Sequence, residues 1–99
     1  MPHRPVLGAL TQKGSLNTDC DTLYDIGVYM VGSATAIERL HTPTNYGTLI
    51  VMSSANEASS YIVQVFLERA NGNFKVFIRT GTKAVGYYAW KKLATTTDV

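Results

Sequence analysis

The residues best suited to chemistry lie in the segment FKVFIRTGTKAVGYYAWKKL, residues 74–93. Arg79 ends a β-branched and aromatic run, and Tyr87, Tyr88 and Trp90 follow beyond a short loop bounded by glycines. A guanidinium stacks favourably on an aromatic ring, and an exposed aromatic ring stacks equally well on a sugar or a nucleobase. The segment therefore allows two interpretations, an internal lock that stabilises the fold or a surface that grips a ligand. We favour the lock, with Arg79 packed on Trp90.

Catalysis and metal binding find little support elsewhere in the chain. His3 and His41 have no Cys, Asp or Glu partner at the spacing of metal ligands, and no set of nucleophile, base and orienting group is apparent. The segment DCDTLYD lacks the glycine and the distal glutamate of a calcium loop, so its aspartates are better interpreted as turn-capping residues. Cys20, the only cysteine, lies between two aspartates whose charge opposes thiolate formation. We expect a protein that is not an enzyme and has no cofactor, metal or catalytic residue.

Composition and charge narrow the class of protein further. The 99 residues are 45% hydrophobic and 16% charged, which is typical of one compact folded domain. The formal net charge of +2 is too small for the basic surface that duplex nucleic acid requires. The N-terminal segment lacks the apolar run of a secretory signal, and no stretch approaches the length of a membrane span. We therefore expect synthesis in a cytoplasm, with no signal peptide and no membrane insertion.

The alternation of apolar and polar residues predicts an all-β fold, mainly antiparallel. The predicted strands cover residues 26–31, 46–54, 61–69, 73–80 and 87–93. Asn71-Gly72 predicts a hairpin between the third and fourth strands, because a type I′ turn requires positive φ at both central residues. Between the first two strands we predict a loop with at most one helical turn. The expected architecture is a small twisted sheet or sandwich of about five short strands with long loops.

The strand pattern divides the chain into three segments. Residues 1–14 are expected to form an extended lead-in or linker, residues 15–93 the β domain, and residues 94–99 a tail. A sheet of this size leaves edges and one face exposed unless a neighbour covers them. Self-association is therefore expected on physical grounds.

Four stretches of the chain are LNTDCDTLYDIGVYMVGSAT, GTLIVMSS, IVQVFLERANGNFKVFIRTGT and YYAWKKL. Their order and spacing together identify a family more specifically than any one stretch does. The residues of these stretches that carry the short motifs are Asn17 and Asp21, Gly27 to Tyr29, Gly47 to Val51, Gln64, Arg79-Thr80, and Trp90 to Leu93. In these features the chain resembles the pyocin knob domain found in tail fibres of phages and of R-type pyocins. The resemblance covers about residues 15–93.

The resemblance implies a small, non-enzymatic β module in a trimeric virion fibre or spike, near the part that reaches the bacterial surface. The implied partners are a bacterial cell-surface glycan or another envelope component, further copies of the chain as a homotrimer, and other virion proteins. The leading hypothesis for the function is binding of a surface polysaccharide receptor. The alternative is a purely structural module that stabilises or joins a trimeric fibre and binds no ligand. A single-stranded nucleic-acid binder and a depolymerising enzyme are the weaker alternatives.

For receptor binding, rigid tyrosines would stack on sugar rings, and side chains from loops and edges would supply hydrogen bonds. The residues expected to bind ligand are Tyr46, Asn71, Asn73, Tyr87, Tyr88 and Lys91. Arg79 and Trp90 are expected to form the structural lock instead.

Overall fold

The computed structural model of the protein describes residues 10–53, 61–70, 72 and 74–93, and these residues form one sheet with two short helical segments. The strands are β1 Gln12–Ser15, β2 Gly27–Gly32, β3 Tyr46–Ser53, β4 Ile62–Glu68, β5 Val76–Thr82, β6 Gly86–Tyr87 and β7 Lys91–Lys92. The helical segments are a 3₁₀ turn, Cys20–Thr22, and α1, Ala36–Leu40. No helix in this part of the chain has the length and apolar character needed to cross a membrane.

The sheet has the strand order β1-β2-β3-β4-β5-β6, and β7 also pairs with β5. β1 runs parallel to β2, and the other pairings among the described strands are antiparallel. The predicted all-β, mainly antiparallel fold is therefore confirmed, as a single sheet rather than a sandwich. Its seven strands exceed the predicted five because β1 is additional and the last predicted strand is divided into β6 and β7.

The hairpin between β4 and β5 agrees with the prediction from Asn71-Gly72. The two strands pair in register, and Glu68 N donates to Lys75 O at 2.9 Å beyond the end of β4. Gly72 has a φ of +84°, a conformation that glycine adopts without steric cost. Asn71 and Asn73 lie outside the described residues, so the turn type stays a prediction.

β1 is the strand that the sequence analysis did not predict. It lies mostly within the segment expected to be an extended lead-in, and its sequence, QKGS, contains no β-branched or aromatic residue. Leu16 follows it directly, is buried in the core, and donates its N–H to Met30 O at 2.8 Å. Burial of Leu16 therefore holds a polar segment against β2, which is a tertiary effect that strand propensity does not reveal.

α1 occupies the region predicted to be a loop with at most one helical turn. Its first turn is stabilised by Asn45, whose Oδ1 accepts a hydrogen bond from Ile37 N at 2.8 Å. It ends at His41, which has a φ of +59° and donates its N–H to Ile37 O at 3.2 Å. A cap supplied from beyond the helix C-terminus is not one of the local signals that sequence inspection uses.

The core lies on one face of the sheet, which we call the core face. Along β3 and β4, completely buried residues alternate with half-buried ones, and Leu49, Val51 and Phe66 are among the buried set. β2 adds Tyr29 and Val31 to the core, and β4 also adds Ile62. Residues 16–23 and α1 supply the remaining buried residues: Leu16, Cys20, Leu23, Ala36 and Leu40.

The opposite face of the sheet, which we call the open face, is apolar and uncovered. No strand or helix among the described residues lies over it. Met30 on this face is 52% exposed, and its apolar neighbours are half-buried. Strand alternation and register define the open face as Val28, Met30, Thr48, Ile50, Met52, Val63, Val65, Leu67, Val76, Ile78 and Thr80.

Candidate functional site

Arg79 is a charged residue buried on the core face. Only 7% of it is exposed, and its Cζ lies 4.3 Å from the centroid of the Trp90 ring and 4.5 Å from that of Tyr87. A guanidinium is attracted to the π electrons of an aromatic ring, and more strongly where water is excluded. The predicted packing of Arg79 on Trp90 is therefore confirmed.

Hydrogen bonds fix the guanidinium of Arg79 at its edges. Nε donates to Gln64 Oε1 at 2.8 Å, Nη1 to Asp21 Oδ1 at 2.9 Å, and Nη2 to Cys20 Sγ at 3.2 Å. The rigid fork of arginine can serve three acceptors in one plane, which the single ammonium of lysine cannot do. Arg79 thus joins β5 to β4 and to the 3₁₀ turn.

Gln64 is completely buried and completes the same network. Its Nε2 donates to Cys20 O at 2.9 Å and to Leu23 O at 3.1 Å, and the Tyr87 hydroxyl also donates to Leu23 O, at 2.7 Å. These bonds satisfy carbonyls at the end of the turn that burial would otherwise leave unpaired at a cost in stability. We call this group the Arg79 cluster: Cys20, Asp21, Gln64, Arg79, Tyr87 and Trp90.

The aspartates of the turn position the cluster instead of forming a calcium loop. Asp19 caps the turn, because its Oδ1 accepts from Asp21 N at 2.9 Å. Cys20 follows, completely buried, and burial raises the pKa of its thiol to about 12, with Asp21 and Asp19 adding to the rise and Arg79 opposing it. The predicted role of Asp19 as a capping residue is confirmed, and the two aspartates oppose formation of the Cys20 thiolate, as expected.

His41 connects α1 to the turn from the solvent side. Its Nδ1 lies 2.9 Å from Asp19 Oδ2 and 3.2 Å from Asp21 Oδ2. The hydrogen bond to Asp19, together with the charge of that carboxylate, raises the pKa of His41 above its ordinary value. Protonated His41 therefore strengthens the attachment of the helix to the turn.

The turn also brings together three groups of the kind that bind metals. Ligand atoms of Asp19, Cys20 and Asp21 lie within 4.8 Å of one another. However, two nitrogens of the Arg79 guanidinium already contact Asp21 and Cys20. A fixed positive charge at this position opposes the approach of a cation, so the arrangement is suited to holding the fold.

Tyr87 lies within the Arg79 cluster and not on an exposed platform. Its ring stacks on Tyr24 with centroids 5.3 Å apart, and it is half-buried beside Arg79. Burial raises the pKa of its hydroxyl, which points to Leu23 O. Gly81 permits this packing, because a Cβ there would collide with Gly86 O and with the backbone of Tyr87. The ring expected to stack on a sugar is thus engaged inside the domain.

The other predicted ligand residues do not form one surface. Tyr88 is 62% exposed and pairs with Thr80, and Lys91 is exposed in β7 nearby. Thr80, the partner of Tyr88, pairs with Val63, and Val63 pairs with Met52 in β3. Met52 is six residues along β3 from Tyr46, so about 20 Å along the strands separates Tyr88 from Tyr46. The predicted contacts of Asn71 and Asn73 lie outside the described residues.

Tyr46 instead borders a groove of about 460 Å³ at one end of the open face, between β2 and β3. Arg69 lies beside Tyr46, with its Cζ 5.2 Å from the centroid of the Tyr46 ring and its N–H donating to Tyr46 O at 3.0 Å. The described residues that line it are Ser15, Met30, Val31, Gly32, Tyr46, Gly47, Thr48 and Arg69. Within this set the groove combines an aromatic face, three hydroxyls and one cation, without an acidic side chain.

The structure brings together several residues that sequence analysis did not select as site residues. Arg69 was not selected, because its relation to Tyr46 depends on the register of β3 with β4. Gln64 carried a signal, since it shares its strand face with Ile62 and Phe66, a placement typical of a buried, hydrogen-bonded amide. The contact of Asp21 with Arg79 joins residues 58 positions apart and has no local signal.

Comparison of the chain with protein-family models, curated proteins and solved structures finds no match. The resemblance to the pyocin knob domain therefore remains an inference from the motifs of the sequence alone. The geometry of the Arg79 cluster and of the groove provides the independent basis for a proposed function.

Proposed function

We propose that this protein is a non-enzymatic attachment module of a virion tail fibre or spike, which binds a polysaccharide on the bacterial surface. The groove lined by Tyr46 and Arg69 carries the proposal for ligand binding. The assignment to a virion rests on the resemblance of the sequence to knob domains, and so do the expected homotrimer and the other virion proteins as partners.

The chemistry of the groove suits a saccharide. The apolar face of a sugar ring can stack on Tyr46, and the hydroxyls of Ser15 and Thr48 can exchange hydrogen bonds with sugar hydroxyls. Arg69 supplies a planar fork that pairs with a carboxylate through two parallel hydrogen bonds. Because the described residues of the groove supply this cation and no acidic side chain, the groove favours saccharides that carry carboxylates over neutral ones.

A purely structural role is the second candidate, and the Arg79 cluster favours it. Tyr87 and Trp90, two of the aromatics in the segment that resembles a binding surface, are engaged in packing inside the domain. A knob that only joins or stabilises a fibre needs that packing and no ligand groove.

Retention on immobilised bacterial surface polysaccharides, neutral and acidic, tests the proposal. We expect the wild-type chain to be retained on an acidic polysaccharide, and Tyr46→Ala to weaken retention by about tenfold or more, because loss of one aromatic stacking partner costs on the order of 1–3 kcal/mol. Tyr88→Ala is the matched control, since Tyr88 is also an exposed tyrosine but lies away from the groove.

The alternatives make different predictions in the same assay. Failure of the wild-type chain to bind any polysaccharide of the set would support the structural role. Equal loss in Tyr88→Ala and Tyr46→Ala would place the ligand elsewhere. A single-stranded oligonucleotide that binds with a steep salt dependence would favour the nucleic-acid alternative.

A further inference from the structure

The open face is a continuous apolar surface across the middle of the sheet. Register places Val28, Ile50, Val65 and Ile78 in one row across β2, β3, β4 and β5. Side chains in such a row contact their neighbours on adjacent strands, so the row forms a ridge and not scattered apolar spots. Threonines and one half-exposed methionine extend the surface without adding charge.

An apolar sheet face of this kind is typical of a surface that another layer covers. Sheets bury one or both faces against a second sheet or helix, and soluble monomers rarely expose large contiguous apolar patches. Among the described residues nothing covers the open face, although the core face is fully packed.

We propose that the open face packs against the same face of a second copy of this chain. The row formed by Val28, Ile50, Val65 and Ile78 carries no charged side chain, so two identical faces can meet without placing like charges at their centre. Lys91 pairs with Ile78 at the edge of the face, where its ammonium can extend into solvent.

The area of the open face is sufficient for such a contact. Four strands at a spacing of about 4.8 Å and six residues at a rise of about 3.3 Å give a plan area on the order of 400 Å² for each copy. Side chains protrude from that plane, so two packed faces bury more than their plan area and reach the roughly 1,000 Å² at which specific interfaces begin. The packed sheets would lie about 10 Å apart.

This contact would also reach the groove. Met30 and Thr48 belong both to the open face and to the lining of the groove, so a second copy seated on the open face lies next to the groove. The self-association does not depend on saccharide binding, because it rests on the apolar surface and not on the groove.

Light scattering of the full chain over a range of concentrations tests the proposal. We expect a dimer, because two identical faces that pack on each other leave no face for a third copy, and a trimer would overturn the proposal. Val65→Glu, which places a charge at the centre of the open face, should convert the dimer to a monomer that keeps the native circular dichroism. Ile37→Glu is the matched control and should leave the dimer intact, since Ile37 is 47% exposed and belongs to α1, which packs on the core face. A monomeric wild type, or an oligomer that persists in folded Val65→Glu, would overturn the proposal.

Two further variants cover the remaining outcomes. If Val65→Glu does not fold, Val65→Thr keeps the shape and the β-branch, and we expect it to raise the dissociation constant by about tenfold; an unchanged constant would overturn the proposal. In Val65→Cys, slow reaction with maleimide at concentrations where the chain is monomeric would show that segments of the same chain cover the face, which would also overturn it. Retention on polysaccharide is a separate measurement, so loss of the proposed ligand would leave this result unaffected.

Discussion

The two faces of the sheet do not follow the simple expectation that polar side chains face water and apolar side chains face inward. The core face buries an arginine, a glutamine and a thiol, and it satisfies them with hydrogen bonds and ring contacts. The open face exposes a row of aliphatic side chains that contact no other layer among the described residues. Side-chain polarity alone therefore does not identify the solvent side of a small sheet. Buried polar groups that are hydrogen-bonded mark the inside, although Trp90 Nε1 has no such partner among the described residues. An uncovered apolar surface marks a place for a partner.

Leu49 and Ile50 are adjacent residues on opposite faces, so they provide the strongest test of this comparison. Leu49→Ala should lower the free energy of unfolding by about 4 kcal/mol, because Leu49 is completely buried and a cavity would remain. Ile50→Ala should cost less than about half of that in dilute solution, where Ile50 is half-buried. Urea titration of both variants measures the difference, and equal losses would show that both faces are packed in the isolated chain.

Arg79→Ala should produce the next largest effect, about 3 kcal/mol of lost stability. The substitution leaves the buried Gln64 Oε1 unpaired and opens space between two aromatic rings. This figure is at the lower end for a broken buried pair because the Asp21 side chain is 46% exposed. The melting temperature measures the loss, with Arg39→Ala, an exposed arginine, as the control. Unchanged stability of Arg79→Ala would contradict its role as a lock.

Substitutions of Trp90 distinguish the contribution of ring packing from that of hydrogen bonding within the Arg79 cluster. Its Nε1 is buried and has no hydrogen-bond partner among the described residues, so the indole N–H contributes no bond there. Trp90→Phe should therefore cost less than about 1 kcal/mol, whereas Trp90→Ala, which removes the ring from Arg79, should cost about 2 kcal/mol. Chemical denaturation followed by circular dichroism compares the two variants, and equal losses would show that ring packing is not the main contribution.

His41 should give the smallest effect and one that depends on pH. Because the pKa of His41 is raised in the folded state, its contribution is complete below the ordinary histidine value of 6.5 and is lost as the pH rises through the raised value. The melting temperature of the wild type should fall slightly over this range. His41→Asn should remove that slope, and asparagine tolerates the positive φ of this position. A slope that persists in His41→Asn would assign the effect to another group.

Sequence analysis predicted the sheet because its central strands carry their own signal. The alternation along residues 46–54 and 61–69 survives in β3 and β4 almost without change. β1 and α1 were less predictable, because burial of Leu16 and the cap from Asn45 stabilise them from outside their own segments. Local periodicity predicts elements that bury their own apolar face, and it fails for elements that a neighbour stabilises.

The candidate sites show the same limit. The contact of Arg79 with Trp90 joins nearby residues of one segment and could be predicted from the order of residue types. The separation of Tyr46 from Tyr88 depends on the register of four strands, which the sequence does not reveal. The tyrosines expected to share one binding surface are therefore separated. Tyr87 lies in the Arg79 cluster, and Tyr46 and Tyr88 lie at distant positions on the sheet.

Trp90 is the only tryptophan of the chain and it packs on the guanidinium of Arg79. Its fluorescence is therefore an intrinsic optical probe that reports on the interior of the domain without any label. Assembly through the opposite side of the sheet would leave the environment of the indole unchanged, whereas loss of the fold would expose it to water and shift its emission to longer wavelengths. Emission and light scattering recorded on one sample can then distinguish dissociation from unfolding in each variant.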